Sequence, residues 1–219
     1  MIKFDYSAVD IPVRQNLTTA HQMAWNSILS PGRWWDGSQR TAIVRETRDA
    51  IECGYCASRK EALSFTSIQG KHVSSSDLPE GAVEAIHRIV TDPARAITLD
   101  VFSDAVGAGK FPVPEPDPGP SSQLRPAGAK RNLAWVSTVA PEDASELEKA
   151  MYPGGWKAPN IRRAMSLVPE EVIDYFDLCD EHYIPTKYIW DFDRQIRAIT
   201  NSQIEFIAAR VSILNGCFY

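Results

Sequence analysis

Two cysteines separated by two residues, Cys53 and Cys56, are the side chains of this sequence best suited to covalent chemistry. A Cys-x-x-Cys pair can cycle between dithiol and disulfide, or it can supply half of a zinc site. Two cysteines can also be small buried apolar side chains. Arg59 and Lys60 follow one turn beyond Cys56, and their charges favour its thiolate and therefore lower its pKa. We expect a redox pair.

A zinc site would need two further ligands. The candidates are His72, His87, Cys179 and His182. None stands at the spacing usual for the second half of a zinc site, and we therefore predict no metal. His87 lies on an apolar helical stripe, which is typical of a core histidine.

The bulk properties exclude several classes of protein. The chain has 219 residues, a net charge of -5 and a pI near 5.4, so nothing attracts it as a whole to nucleic acid or to anionic lipid. It shows neither a signal peptide nor an apolar run of about 18 residues. Four cysteines are few for a secreted disulfide scaffold of this size. We predict a soluble cytoplasmic protein without nucleic-acid or membrane partners.

Proline divides the sequence into two regions. Six of the sixteen residues in Phe111–Pro126 are proline, and this density excludes a helix or a central strand. We predict an N-terminal helical region over 1–110, a proline-rich linker over 111–140 and a C-terminal helical region over 141–219.

Helical signals outnumber strand signals in both regions. Helices are predicted to begin near Thr19, Ser38, Leu78, Asp92, Pro141, Pro159, Pro169 and Ser202. The last of them is predicted to bury Ile204, Ile207, Ala208, Val211 and Leu214. The fold class is therefore all-α.

The two regions share a repeated segment. An ungapped alignment of Ser38–Tyr55 with Ser202–Tyr219 gives five identities in eighteen positions, and both segments end in a cysteine two residues before a tyrosine. Two related helical regions are the expected result of such a duplication.

The repeated segments resemble the alkylhydroperoxidase and carboxymuconolactone decarboxylase superfamily, whose signature is a glutamate on a helix, a Cys-x-x-Cys pair and a histidine. The resemblance rests on Arg40–Glu46, Cys53–Cys56, Gln203–Glu205 and Asn215–Tyr219. It implies two helical repeats of alkylhydroperoxidase-like type. It also implies a thiol-dependent peroxidase in which Cys56 attacks the hydroperoxide and Cys53 resolves the sulfenic acid.

Each repeat departs from that signature. Glu205 stands twelve residues before Cys217, as the signature requires, but the sequence stops at Tyr219, where the second cysteine and the histidine would follow. In the first repeat Thr41 occupies the glutamate position and Lys60 the histidine position. We keep Lys60, Glu205 and Cys217 as site candidates beside the thiol pair. Glu205 has a second interpretation as the partner of Ser202 in a capping box.

The implied partners are a small hydroperoxide and an external dithiol donor protein, with no bound cofactor. The resemblance also implies a homo-oligomer. Two alternatives stay open: a non-catalytic helical assembly protein with a degenerate site, and an enzyme like carboxymuconolactone decarboxylase.

Overall fold

A computed structural model describes residues 4, 6–7, 10–63, 67–92, 117–131, 137–155, 159–214 and 217. The helix predicted to begin at Asp92-Pro93 and the boundary predicted at residue 110 cannot be compared with it, because residues 93–116 lie outside the described residues. Seven α-helices lie within the described residues, together with one two-stranded sheet. The mainly helical fold class is confirmed.

The N-terminal half contains four helices. They are α1 (Gln15–Leu29), α2 (Gly37–Ile51), α3 (Gly54–Glu61) and α4 (Glu80–Thr91). Helix α2 packs on both α1 and α4, and α3 also packs on α4. This arrangement brings the short α3 and the connection after it against the side of α4.

Short elements open the C-terminal half, and longer helices close it. Strands β1 (Ala129–Lys130) and β2 (Thr138–Val139) pair antiparallel. Then follow 3₁₀ turns at Pro141–Asp143 and Glu148–Met151, helix α5 (Asn160–Ala164), helix α6 (Pro169–His182), a 3₁₀ turn at Thr186–Tyr188 and helix α7 (Asn201–Leu214). The predicted starts near Pro159 and Pro169 are confirmed, whereas Pro141 begins only a 3₁₀ turn.

The buried core of the C-terminal half surrounds the start of α6. It comprises Val139, Ala144, Met151, Tyr152 and Val172. The Tyr152 hydroxyl donates to the Val139 carbonyl over 2.5 Å, so the one polar group of this tyrosine is satisfied inside the core.

Helices α1 and α6 pack against each other, although they lie in the two different regions that the sequence predicts. Arg33, in the loop after α1, pairs with both carboxylate oxygens of Glu170 at 2.6 and 2.8 Å. Arg40 of α2 forms an ion pair with Glu171. The second pair reaches from α2 to the first turn of α6, so three helices meet at this contact.

Residues 117–123 of the predicted linker lie against the N-terminal half, whereas its strands β1 and β2 belong with the C-terminal elements. The Asp117 amide donates to Leu29 O at 2.9 Å, and the Ser122 amide donates to Gly32 O at 2.9 Å. A Cβ at Gly37 would lie 2.3 Å from Leu29 O and 2.7 Å from Asp117 O, so this approach needs glycine.

Helices α2 and α7, the helices of the repeated segments, begin in the same way. In α2 the Asp36 carboxylate accepts from the Gln39 amide, and the Gln39 side chain accepts from the Asp36 amide. Thr200 and Gln203 make the same reciprocal pair before α7. The predicted cap by Ser202 and Glu205 is therefore wrong, because the box lies two residues earlier.

Helix α7 buries less than its pattern predicts. Ile204 is 9% exposed, but Ile207 is 53%, Val211 49% and Leu214 67% exposed. The prediction that α7 buries Ile207, Val211 and Leu214 is therefore wrong, and it holds only for Ile204 in the first turn. No helix of the described ranges has both the length and the apolar character needed to cross a membrane.

Candidate functional site

The thiol pair lies at the start of α3. Cys53 is the N-cap residue of this helix, and Cys56 lies in its first turn. The free backbone N–H groups and the positive dipole end of a helix favour a thiolate at this place. The two side chains are buried, at 8% and 4% exposure.

Two histidines from other parts of the chain complete a compact cluster with the thiols. His72 Nδ1 lies 3.7 Å from Cys53 Sγ and 3.4 Å from Cys56 Sγ, and His87 Nδ1 lies 3.3 Å from Cys56 Sγ. The potential ligand atoms of the four side chains all lie within 4.8 Å of one another. We call these four residues the Cys–His cluster.

A carboxylate lies behind each histidine of the cluster. His72 Nε2 donates to Glu84 over 2.8 Å, and His87 Nε2 donates to Glu46 over 2.8 Å. Because a carboxylate accepts the Nε2 proton of each histidine, Nδ1 is the ring nitrogen left to exchange a proton with the sulfur atoms. The sulfurs therefore face two oriented nitrogen bases.

The two carboxylates differ in their surroundings. The Glu46 side chain is fully buried on α2 and also accepts from the hydroxyls of Ser74 and Ser76, each at 2.6 Å. Burial opposes its ionisation, but these hydrogen bonds and that from His87 outweigh it and lower the pKa of Glu46. Glu84 on α4 is 39% exposed.

Glu84 also pairs with Arg59 of α3. The Arg59 guanidinium lies 2.9 and 3.2 Å from its two oxygens. The pKa of Glu84 is lowered: burial opposes ionisation, but His72 and Arg59 more than offset it. Both outer carboxylates are therefore held in the ionised form.

Sequence-local packing fixes the segment that carries His72. This segment, 68–79, connects α3 to α4 without helix or strand. A Cβ at Gly70 would lie 2.7 Å from the Tyr55 ring, and Tyr55 in turn contacts the His72 ring edge-on with centroids 5.0 Å apart. The hydroxyl groups of Ser74 and Ser76 anchor the same segment to Glu46.

The pKa values of the two thiols are shifted in opposite directions from that of an ordinary cysteine. Burial disfavours the Cys53 thiolate, but hydrogen bonding with His72, whose Nδ1 can take up the thiol proton and donate it back to the thiolate, and with Cys56 outweighs it and lowers the pKa of Cys53 to about 6. Burial and the neighbouring Cys53 raise the pKa of Cys56 to about 11. Arg59 does favour the Cys56 thiolate, as predicted, but its charge is outweighed. The more acidic thiol is therefore Cys53.

The three other predicted site residues are not members of the Cys–His cluster, and neither is Thr41, which holds the position of the motif glutamate. Lys60 is exposed, at the rim of a small pocket that Cys56 also lines. Glu205 is exposed on α7 and accepts from the Tyr183 hydroxyl, and Cys217 is exposed. Thr41 is buried and donates to the Gly37 carbonyl of its own helix. These four side chains are therefore not part of the Cys–His cluster.

Sequence reasoning did not predict four of the residues around the thiols. They are Glu46, His72, Glu84 and His87. The spacing of His72 and His87 along the sequence gives no indication that they lie beside the thiols. The prediction of a buried His87 is confirmed, since its side chain is fully enclosed. Glu84 stands three residues before His87 and shares its helix face, but its hydrogen bond is to His72, whereas His87 bonds to Glu46.

Comparison with known proteins gives no match to a family model, to a curated protein or to a solved structure. The resemblance to the alkylhydroperoxidase superfamily therefore stays a prediction.

Proposed function

We propose that the protein is a thiol-dependent redox protein that reduces hydroperoxides through Cys53 and Cys56. The observation that carries the proposal is the pair of oriented imidazoles, each with Nδ1 within 3.3–3.7 Å of a cysteine sulfur. A base at this distance can take the thiol proton and return it to the leaving oxygen. Here His72 and His87 take over the proton relay that the resemblance assigns to a motif glutamate and histidine.

The proposed reaction has three balanced steps. One thiolate attacks the O–O bond of the hydroperoxide, and with one proton this gives a sulfenic acid and an alcohol. The second thiol then attacks the sulfenic sulfur, which forms the Cys53–Cys56 disulfide and releases water. An external dithiol donor reduces this disulfide and is itself oxidised to a disulfide.

We assign the attack to Cys53 and the resolving role to Cys56, the reverse of the order that the resemblance implies. Cys53 caps α3, contacts His72 and is the more acidic thiol, whereas the pKa of Cys56 is raised. We also propose the cytoplasm as its compartment, because a free dithiol requires reducing surroundings.

The test is hydroperoxide consumption by the metal-free, reduced chain with dithiothreitol as donor. Cys53→Ser and Cys56→Ser are expected to lose turnover, whereas Cys179→Ser and Cys217→Ser, which change cysteines outside the cluster, keep it. Trapping with dimedone is expected to label Cys53 in the Cys56→Ser variant. Wild type that consumes peroxide no faster than a Cys53→Ser/Cys56→Ser double variant refutes the function, and a label found only on Cys56 reverses the two roles.

A non-catalytic assembly role is the second candidate, and the surface of α7 favours it. Phe206, Ile213 and Leu214 are 67–75% exposed on this helix. Apolar side chains grouped in this way are typical of contact surfaces. We propose that the predicted homo-oligomer forms there. Light scattering is expected to give a larger mass for wild type than for Phe206→Asp, and equal masses would exclude this surface.

A further inference from the structure

We propose that the reduced Cys–His cluster binds one Zn²⁺, with Cys53, Cys56, His72 and His87 as its four ligands. The proposal goes beyond the redox function and stands without it. It is argued from four properties of the cluster: its distances, the orientation of its imidazoles, its donor atoms and its burial.

The distances fit a tetrahedral ion. Zinc bonds of about 2.3 Å to sulfur and about 2.0–2.1 Å to nitrogen put a sulfur and a nitrogen ligand about 3.5 Å apart around a tetrahedron. Three of the four sulfur–nitrogen distances are 3.3, 3.4 and 3.7 Å, and all four ligand atoms lie within 4.8 Å of one another. Small side-chain movements would therefore suffice to close the site around an ion.

The imidazoles are oriented as metal ligands. Glu84 and Glu46 each accept a hydrogen bond from a histidine Nε2, so Nδ1 is the ring nitrogen that faces the sulfur atoms and can ligate an ion. A carboxylate behind a ligating histidine fixes its tautomer and increases its basicity as a ligand. Both histidines of the cluster have this partner, although the two carboxylates come from different helices.

The donor set selects the metal. Two thiolates and two imidazoles suit zinc, whereas magnesium and calcium prefer oxygen. Two thiolates also balance the charge of a divalent ion, which matters because Cys53, Cys56 and His87 are each less than 10% exposed. Among the described residues this is the one group of three or more potential metal ligands, and four protein ligands leave no open position. The site is therefore structural.

The proposed ion would link three parts of the chain. The cysteines belong to the start of α3, His87 to α4, and His72 to the connection between these helices. Because this connection has no regular structure, a metal bond to His72 adds a constraint that the backbone hydrogen bonds do not supply.

One consequence rests on the proposed redox function. Zinc bound to both thiolates withholds them from peroxide, and oxidation releases the ion. In balanced form, the zinc dithiolate, one hydroperoxide and two protons give the disulfide, one alcohol, one water and free Zn²⁺.

The test uses the full chain, reduced and stripped of metal under anaerobic conditions. Zinc is added against a chromophoric chelator, and elemental analysis after desalting gives the stoichiometry. We expect one zinc per chain. With Co²⁺ as the probe we expect the intense visible bands of a tetrahedral site and a sulfur-to-cobalt charge-transfer band.

Variants separate ligands from bystanders. Cys56→Ser and His87→Gln are expected to reduce zinc affinity by more than the about 10–100-fold that loss of an outer-shell partner costs. A Cys179→Ser/Cys217→Ser variant is the matched control and keeps wild-type affinity. His72→Cys guards against misfolding, because a Cys₃His set still binds zinc.

Three outcomes overturn the proposal: less than stoichiometric zinc in folded wild type, an octahedral cobalt spectrum, or zinc affinity unchanged in Cys56→Ser. Because none of these measurements uses peroxide, zinc binding without turnover refutes only the redox function. Turnover without zinc binding refutes only the metal site.

Discussion

Replacement of Glu46 by glutamine tests how much the buried carboxylate behind the cluster contributes to stability. Glu46 is fully buried and accepts hydrogen bonds from His87 through one oxygen and from Ser74 and Ser76 through the other. Glutamine keeps the shape of the side chain. It removes the charge and replaces one acceptor by an NH₂ group, which cannot accept.

The expected loss follows from these three bonds. A hydrogen bond to a charged group contributes about 1.5–3 kcal/mol and a neutral one about 0.5–1.5 kcal/mol. Ser74 is exposed and Ser76 half-buried, so water compensates for much of their loss. The buried bond from His87 is not compensated in this way. We expect Glu46→Gln to lower the free energy of unfolding by about 2–3 kcal/mol, or Tm by about 5–10 °C.

Glu84→Gln is the matched control, since Glu84 also accepts from a cluster histidine but is 39% exposed. Its loss should stay below about 1 kcal/mol because solvent screens the pair. Thermal unfolding of the reduced, metal-free variants is followed by far-UV circular dichroism. If Glu84→Gln destabilises the chain as much as Glu46→Gln does, burial does not set the strength of these contacts and the reasoning fails.

Two further predictions concern residues outside the cluster. The rings of His21 on α1 and His182 on α6 stack, and their Nε2 atoms lie 2.8 Å apart. Burial lowers the pKa of both histidines. Repulsion from His182 lowers the pKa of His21 further, and the charge of Arg14 does the same for His182. The other ionisable groups facing the pair are Tyr6 and Glu181. The unfolded chain therefore takes up these protons first, near pH 6.5, and stability should fall as the pH drops from 7 to 5. Urea unfolding at several pH values should show a smaller decrease for His21→Gln, and an unchanged slope would contradict the assignment. Tyr152→Phe removes the donor to the buried Val139 carbonyl. Urea unfolding should show that the free energy of unfolding falls by about 1–2 kcal/mol. An unchanged free energy of unfolding would mean that this hydrogen bond adds no net stability.

Helix positions were largely predictable from the sequence because their signals are local. The helix starting at Pro169 carries Glu170 and Glu171 in its first turn, and the structure places α6 there. The exposure of α7 was not predictable in the same way. Its apolar residues do recur at helical spacing. This spacing shows which side chains share a face of the helix, but it does not show whether another element covers that face.

The candidate site was predictable only at its thiols. The Cys-x-x-Cys spacing is a local pattern, whereas His72 and His87 join it only through the packing of α3 on α4. Nothing in the sequence around Glu46 indicates that its carboxylate is buried behind His87. Its role depends on a serine-containing segment almost thirty residues later in the chain. Sites assembled from distant elements leave no spacing rule in a single sequence.

The contact between α1 and α6 has a consequence for how the chain is made. Ser27 bonds to Asp174, and Asn16 bonds to Glu181, across separations of 147 and 165 residues. On the ribosome, these contact partners of α1 are therefore translated 147 and 165 residues after the residues that they bond. Until then the face of α1 lacks the helix that covers it, so the nascent chain passes through a stage in which chaperone binding competes with aggregation.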